Sequence, residues 1–379
     1  MATLLPSIKY PIGIQTFSTI REEGYLYVDK TRLVYQLANS FKYVFLSRPR
    51  RFGKSLLVST LEEYFKGNRD LFSGLAIEGL EKEWISYPVM RFDLSAANYK
   101  EPQVLVNKIE SYLDSLEEVY GKSKAKEIAD RFRNVIEAAF RKTGKKVVVL
   151  IDEYDKPMLD TMHDDSLKDS LKAELRGFYA VLKECDPMVR FAMLTGVTKF
   201  GKVSVFSGLN NLMDISMNPM YNEICGISEK EFHDNFGPSI KIFAETHGIT
   251  DDEAWEQFKA YYDGYHFSFP ATDIYNPFST LHAFADNELN EYWFATGSPS
   301  FLIKLIEKYR FMLKDLEGER RKRSALSDIT DISNDFVPLL YQSGYLTIKG
   351  FDDRFGLYTL GFPNKEVSQG FWDALGEYF

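Results

Sequence analysis

Ser47-Arg-Pro-Arg-Arg-Phe-Gly-Lys-Ser55 is the stretch on which the fold turns. It follows a short β-branched and aromatic run, Tyr43 to Ser47 (YVFLS), and precedes a helix-like stretch from Ser55 to Phe65 that stops at Gly67. A strand, a glycine-containing loop and a helix are what a phosphate loop needs. Backbone N–H groups close around phosphate oxygens, a lysine reaches the β and γ phosphates, and a hydroxyl ligates Mg²⁺. Gly53, Lys54 and Ser55 supply the second half of GxxxxGK[ST], whereas Arg48 stands where the first glycine would be. The positive end of the following helix adds attraction for an anion.

Working outward, three more strands are predicted. Val89 to Leu94 (VMRFDL) precedes a long amphipathic region, Pro102 to Arg141, with apolar residues at helical spacing. Lys146 to Ile151 (KVVVLI) is apolar on every side, as in a buried central strand of a parallel sheet. Val189 to Leu194 (VRFAML) arrives after a helical stretch from Ser166 to Glu184. Strands separated by helices imply a parallel α/β sheet with right-handed crossovers.

Asp152 and Glu153 directly follow KVVVLI, at the strand end where open α/β sheets bind ligands. In register with an upstream GKS, Asp152 reads as a Mg²⁺ ligand acting mostly through water, and Glu153 as the residue that polarises the attacking water. The competing reading is two acids solvating a strand end. A glutamate beside the Mg²⁺ aspartate suggests the ATPase branch with an extra strand inserted between the two motifs, and Val89 to Leu94 is available for it. The fourth strand ends in Leu194-Thr-Gly-Val-Thr-Lys-Phe200, which makes Thr195 the first and Thr198 the second candidate for contact with the γ-phosphate or the lytic water. An ordinary strand-ending turn at Gly196 competes with that reading. Phe200-Gly-Lys202 echoes Phe52-Gly-Lys54 but lacks the following Ser or Thr and reads as a loop.

Beyond about Gly226 the texture becomes helical, as in Ser228 to His247 and Asp251 to Tyr262. Tyr345 to Ile348 and Leu357 to Leu360 flank a turn-like Gly350 to Gly356, predicting a β-hairpin between helices and a winged-helix-like lid. The 379 residues carry 46 basic and 55 acidic side chains, a net charge of −9, which argues against a globally basic nucleic-acid binder. The longest aliphatic run, Val147 to Ile151, is far short of the ~18 to 20 apolar residues that span a bilayer, so a cytoplasmic protein with no membrane partner is expected. Two isolated cysteines, Cys185 and Cys225, read as small core hydrophobes, and five scattered histidines give no zinc spacing. Aromatics make up 15% of the chain and recur after Gly226 in Tyr261 to Phe267, Tyr292-Trp-Phe294 and Phe371-Trp372. Core packing or a docking face would each account for them.

At these residues the chain resembles the bacterial and archaeal AAA-ATPase-like family whose members often carry a PD-(D/E)xK nuclease-like domain at the C-terminus. The matching motifs are Tyr10-Pro-Ile-Gly-Ile14, Tyr27-Val-Asp-Lys-Thr31, Arg48 to Ser55, Ile151-Asp-Glu-Tyr-Asp-Lys-Pro157, Leu194 to Phe200, Phe206-Ser-Gly-Leu-Asn-Asn211 and Tyr262-Asp-Gly-Tyr265. The resemblance implies a P-loop NTPase fold of AAA/ASCE type and accounts for Arg48, since the family's own loop has arginine there. ATP binding with presumed hydrolysis follows from it. The nuclease core needs [DE]-x-K, and no such triplet occurs in this sequence.

The expected organisation is an ATPase domain over residues 1–225 and a helical, winged-helix-like lid over 226–379, without the nuclease-like domain. The expected nucleotide loop is Arg48, Pro49, Arg50, Arg51, Phe52, Gly53, Lys54, Ser55 and Leu56. Within it Arg48 and Lys54 neutralise phosphate, while Arg50 and Arg51 lie at a subunit or domain edge or simply in solvent. Ser55 and Asp152 are the expected Mg²⁺ ligands, and Glu153, Thr195 and Thr198 the expected catalytic groups. Arg320-Arg-Lys-Arg323 is a second basic cluster, read as a solvated helix end or a DNA contact. Arg176 and Arg190 are the available arginine-finger residues. Expected partners are ATP and ADP, with DNA or protein met through the C-terminal region and oligomerisation left open. Three functions stand: a Mg²⁺-dependent ATPase that moves a C-terminal effector region, a slow-turnover nucleotide switch, and a nucleic-acid or protein binding module with a vestigial ATP site.

Overall fold

Every strand predicted around the loop forms. In the computed structural model, which describes residues 8–162, 164–200, 211–270, 272–296, 316–329 and 335–376, strands β1 (Tyr43–Ser47), β2 (Val89–Asp93), β3 (Val147–Asp152), β4 (Val189–Gly196) and β5 (Met213–Asp214) make one sheet. All its pairings are parallel, and the order is β2-β3-β4-β1-β5. β1 and β3 are buried at every residue, which is why their apolar runs do not alternate. β2 is the exception, alternating half-buried and buried side chains. The strand that precedes β3 in sequence therefore lies at the sheet's edge, and β4 is the one that separates β1 from β3. Lateral order is set by non-local packing that a local pattern does not carry.

Ser47 pairs with Gly196 and Ile151 with Leu194, so β1, β3 and β4 bring their C-terminal ends to the same edge. The long amphipathic region is two helices, Pro102–Tyr120 and Ile128–Thr143, interrupted after Gly121. Phe92 of β2 meets Phe132 and Phe178 edge-on at 5.3 and 5.2 Å, which fixes the second of these helices and Asp165–Glu184 against the strand.

The chain divides into two compact units that do not follow sequence order. One comprises residues 31–47 and 57–215 and contains the five-stranded sheet; the other comprises 1–30, 48–56 and 216–379. The expected domains, 1–225 and 226–379, follow the order of the chain, whereas in these units residues 1–30 and the loop Arg48–Leu56 group with residues 216–379. In that second unit the Tyr10 hydroxyl bonds Ser239 at 2.6 Å, and Lys30 pairs with Glu231. The helices Glu229–His247 and Asp251–Tyr262 begin at capping boxes, Ser228 with Glu231 and Thr250 with Glu253.

The predicted hairpin is β9 (Thr347–Asp352) with β10 (Leu357–Gly361), antiparallel. A third strand, β8 (Arg320–Lys322), pairs with β10 at the outside of this sheet. The basic cluster is therefore an edge strand that runs directly into a helix start, with Lys322 as the N-cap of the helix Arg323–Ser327. Strand β6 (Ile227–Ser228) pairs with β7 (Ile274–Tyr275).

The aromatic excess is mostly core. Phe232 stacks on Tyr275 at 4.2 Å and Phe258 on Phe284 at 4.3 Å, and Tyr262, Tyr265, Trp293 and Phe371 are buried. Trp372 alone of the quoted aromatics is large and exposed, at 49%. Cys185 and Cys225 are buried free thiols. Among the described residues no helix is long and apolar enough to cross a membrane.

Candidate nucleotide site

The loop Arg48–Leu56 leaves β1 directly and opens the helix Lys54–Lys66. Its tight return is made by Arg51 at φ 65° and Gly53 at φ 91°, the left-handed region that glycine enters without cost. Lys54 is 3% exposed, and its Nζ donates to the carbonyls of Arg48 and Pro49 at 3.1 and 3.2 Å. The ammonium thus closes the loop back on its own start.

Two further loop carbonyls are taken from the C-terminal part of the same unit. Arg50 O accepts from the Trp293 indole at 3.0 Å, and Phe52 O accepts from the Gly226 amide at 3.0 Å. A trans peptide holds C=O and N–H in opposite directions, so the amides of Arg51 and Gly53 face away from those two donors. Among the described residues neither amide donates to a protein acceptor. Phe52 is buried edge-on against Tyr265 at 4.8 Å and Phe267 at 5.6 Å.

Arg48, expected to neutralise phosphate, is held by protein partners. Its guanidinium is 1% exposed, donates to Ser216 O at 2.7 Å and Tyr221 O at 3.1 Å, and lies 4.0 Å over the Phe267 ring. A buried cation needs such partners. In the structure Arg48 ties the loop to residues 216–221. Arg51 is exposed, with its guanidinium 5.1 Å from the Phe278 ring.

In the other unit, β3 and β4 end in a stitched pair of turns. Asp152 is 1% exposed; its Oδ1 accepts from the Thr195 hydroxyl at 2.5 Å and from the Glu153 amide at 3.1 Å. Glu153 sits at φ 52° and is half-buried, a strained position of the kind that clusters at functional sites. The Tyr154 amide donates to Thr195 O at 2.9 Å. Thr195 is thus bound to the β3 end through both its hydroxyl and its carbonyl.

Thr198 is not brought to this edge as a free hydroxyl. Its hydroxyl and amide donate to Asp155 Oδ2 at 2.7 and 2.6 Å, and its carbonyl accepts from the Tyr154 phenol at 3.0 Å. The hydroxyl read as the second candidate for the γ-phosphate or the lytic water is bound to Asp155. Asp155, which the sequence reading left unassigned, is the centre of that anchor: it is fully buried and also accepts from the Val197 amide at 3.0 Å. Its position two residues beyond Glu153 in Ile151 to Pro157 was the available signal. A Cβ on Gly196 would stand 2.4 Å from Asp155 Oδ1 and 2.8 Å from the Tyr154 ring, so the turn admits only glycine there. Burial, and next the Asp155 charge, push the Tyr154 phenol well above its ordinary pKa, keeping it a donor.

Arg190 is the second residue of β4, at the opposite edge of the sheet from Asp152, and donates to Ala38 O and Asn39 Oδ1 at 3.1 Å each. Gly201, Lys202 and most of Phe206 to Asn211 lie outside the described residues.

A sequence model of the family described as predicted AAA-ATPase matches residues 11–206. An uncharacterized protein from the vnfD 5′ region of Azotobacter chroococcum mcd 1 is 41% identical over 374 residues, covering 97% of this chain and 70% of that protein. Among solved structures, that of the Aeropyrum pernix ORC2 protein in ADPNP and ADP complexes aligns over 99% of this chain and 97% of that one, at 10% identity and a TM-score of 0.33. The family match spans just over half of the chain and ends ten residues after the stitched β4 turn, and this protein belongs to the predicted AAA-ATPase family.

Proposed function

We propose that the chain binds ATP with Mg²⁺ in the loop Arg48–Leu56 and hydrolyses it, the state of the loop being transmitted to the C-terminal part. The observation that carries this reading is the Lys54 ammonium bound across the carbonyls of Arg48 and Pro49, in a loop that starts at a strand end and opens a helix. A lysine at the start of such a helix supports a triphosphate site, with the helix N-terminus adding its dipole.

Lys54 and the amides of Arg51 and Gly53 bind the β and γ phosphates. The Ser55 hydroxyl and Asp152 hold the cation, and Thr195 orients the Asp152 carboxylate. Among the described residues no three His, Cys, Asp or Glu cluster around one point, so the ion takes most of its ligands from phosphate and water, as Mg²⁺ prefers. Mg²⁺ supplies neutralisation of the charge on the transferring phosphoryl group. Glu153 orients and polarises the water that attacks the γ-phosphorus. Arg48, Thr198 and Asp155 shape the site and touch neither substrate nor water.

A DNA or protein partner would meet the C-terminal part, where β8 leaves an edge and the Arg320 side chain is 58% exposed. The testing experiment is Glu153→Gln with a phosphate-release assay and nucleotide binding run together. Bound ATP with turnover reduced at least a hundredfold is expected. Turnover at the normal rate removes Glu153 from the mechanism, and a wild-type chain that retains nucleotide with negligible turnover identifies the switch instead.

A further inference from the structure

Tyr292-Trp-Phe294 stands out in the sequence as an aromatic cluster, and the nucleotide chemistry above does not use it. Trp293 is 2% exposed, yet its indole N–H reaches one polar target, the Arg50 carbonyl. The other end of the residue is held as firmly. Its backbone amide donates to Glu366 Oε1 at 2.7 Å and to Ser279 Oγ at 3.1 Å, and Ser279 Oγ donates to the same carboxylate oxygen at 2.9 Å. The Tyr345 ring lies 5.5 Å from the indole. Glu366 belongs to the helix Lys365–Gly376 and Ser279 to the helix Pro277–Asp286, so a single tryptophan links two C-terminal helices to one peptide of the nucleotide loop.

The geometry points to Trp293 as a positioning residue of the nucleotide loop: its indole N–H fixes the Arg50–Arg51 peptide so that the Arg51 amide faces the phosphates. This deepens the proposed ATP site and rests on it. The physical reason lies in the peptide plane. Turning the Arg50 carbonyl toward Trp293 turns the Arg51 N–H the opposite way, and Arg51 holds a left-handed φ of 65° that a non-glycine residue keeps only when its surroundings impose it. Without the indole donor the peptide can flip and present a carbonyl oxygen to the phosphate. Binding is reciprocal: a phosphate that captures the Arg51 amide favours the peptide orientation that Trp293 accepts, and so tightens the segment held by Glu366.

The test uses the full chain and Mg·ATP as the probe. Trp293→Phe keeps a ring against Tyr345 and removes only the donor. Expected are about tenfold weaker Mg·ATP binding and an equal rise in KM, the loss of one buried hydrogen bond, with kcat changed less than twofold. Trp372→Phe, on the exposed side of the helix Lys365–Gly376, should change neither. Unchanged Mg·ATP affinity in Trp293→Phe overturns the proposal, as does a loss confined to kcat. Should Trp293→Phe not fold, hydrogen exchange of the wild-type amides at residues 292–296 decides: slowing by saturating Mg·ATP supports the proposal, and unchanged exchange overturns it. A wild-type chain that binds no Mg·ATP overturns the ATP site itself, an outcome separate from a failure seen in Trp293→Phe alone.

Discussion

The Thr195 hydroxyl donates to the Asp152 carboxylate, joining the tip of β4 to the end of β3 at one buried bond. A carboxylate aimed by a neighbouring donor is the usual way a metal ligand keeps its orientation, and such supports are worth 10- to 100-fold in activity. Thr195→Val removes the donor at nearly constant volume. Turnover should fall about 10- to 100-fold while Mg·ATP affinity stays within a few-fold, and Thr195→Ser should recover most of the rate in a steady-state phosphate-release assay.

Arg48 separates two accounts of the loop's basic charge. If it ties the loop to residues 216–221, Arg48→Met leaves the Ser216 and Tyr221 carbonyls without this donor and destabilises the chain by about 3 kcal/mol. Urea denaturation reads this as a lower midpoint. A phosphate-neutralising arginine would show the reverse pattern, weaker ATP binding at unchanged stability.

Gly196→Ala tests the packing beneath the site. The added methyl would collide with the Asp155 carboxylate and the Tyr154 ring, both buried and both held by hydrogen bonds to residues 197–200. A loss of about 2 kcal/mol is expected in thermal or urea unfolding.

Glu366 gives a pH dependence with a definite sign. Burial raises its pKa from the ordinary 4.5 to about 8, against the opposing hydrogen bonds from Trp293, Ser279 and Phe294. Burial also lifts Asp263 to about 7. In the native state these groups hold their protons where the unfolded chain has released them. Their contribution is therefore fully present below about pH 4.5 for Glu366 and is lost as pH rises through about 8. Between pH 5 and 8 the wild-type chain should lose on the order of a few kcal/mol, and Glu366→Gln should flatten that slope in urea titrations run across the range.

Much of this arrangement is legible in the sequence. YVFLS, KVVVLI and VRFAML declare their strands because fully buried parallel strands need uninterrupted apolar runs, and SEKE and TDDE declare helix starts through their capping boxes. The strand order is not legible, since β2 and β4 read alike while only one of them lies between β1 and β3. Nor is the assignment of the loop's charges. A sequence shows four cations in the loop, yet only the fold shows that the Arg48 guanidinium meets carbonyls and the Lys54 ammonium the loop itself. Asp155 and Trp293 were both inside quoted motifs; their partners, Thr198 and Arg50, lie 43 and 243 residues away.

The central claim is that Lys54 belongs to a triphosphate site. Isothermal titration of Mg·ATP into the wild type and into Lys54→Ala tests it most directly. The account predicts a saturable one-site isotherm for the wild type and affinity reduced at least a hundredfold in Lys54→Ala, the loss of a buried charged contact to phosphate. Equal affinity in the two proteins would contradict it.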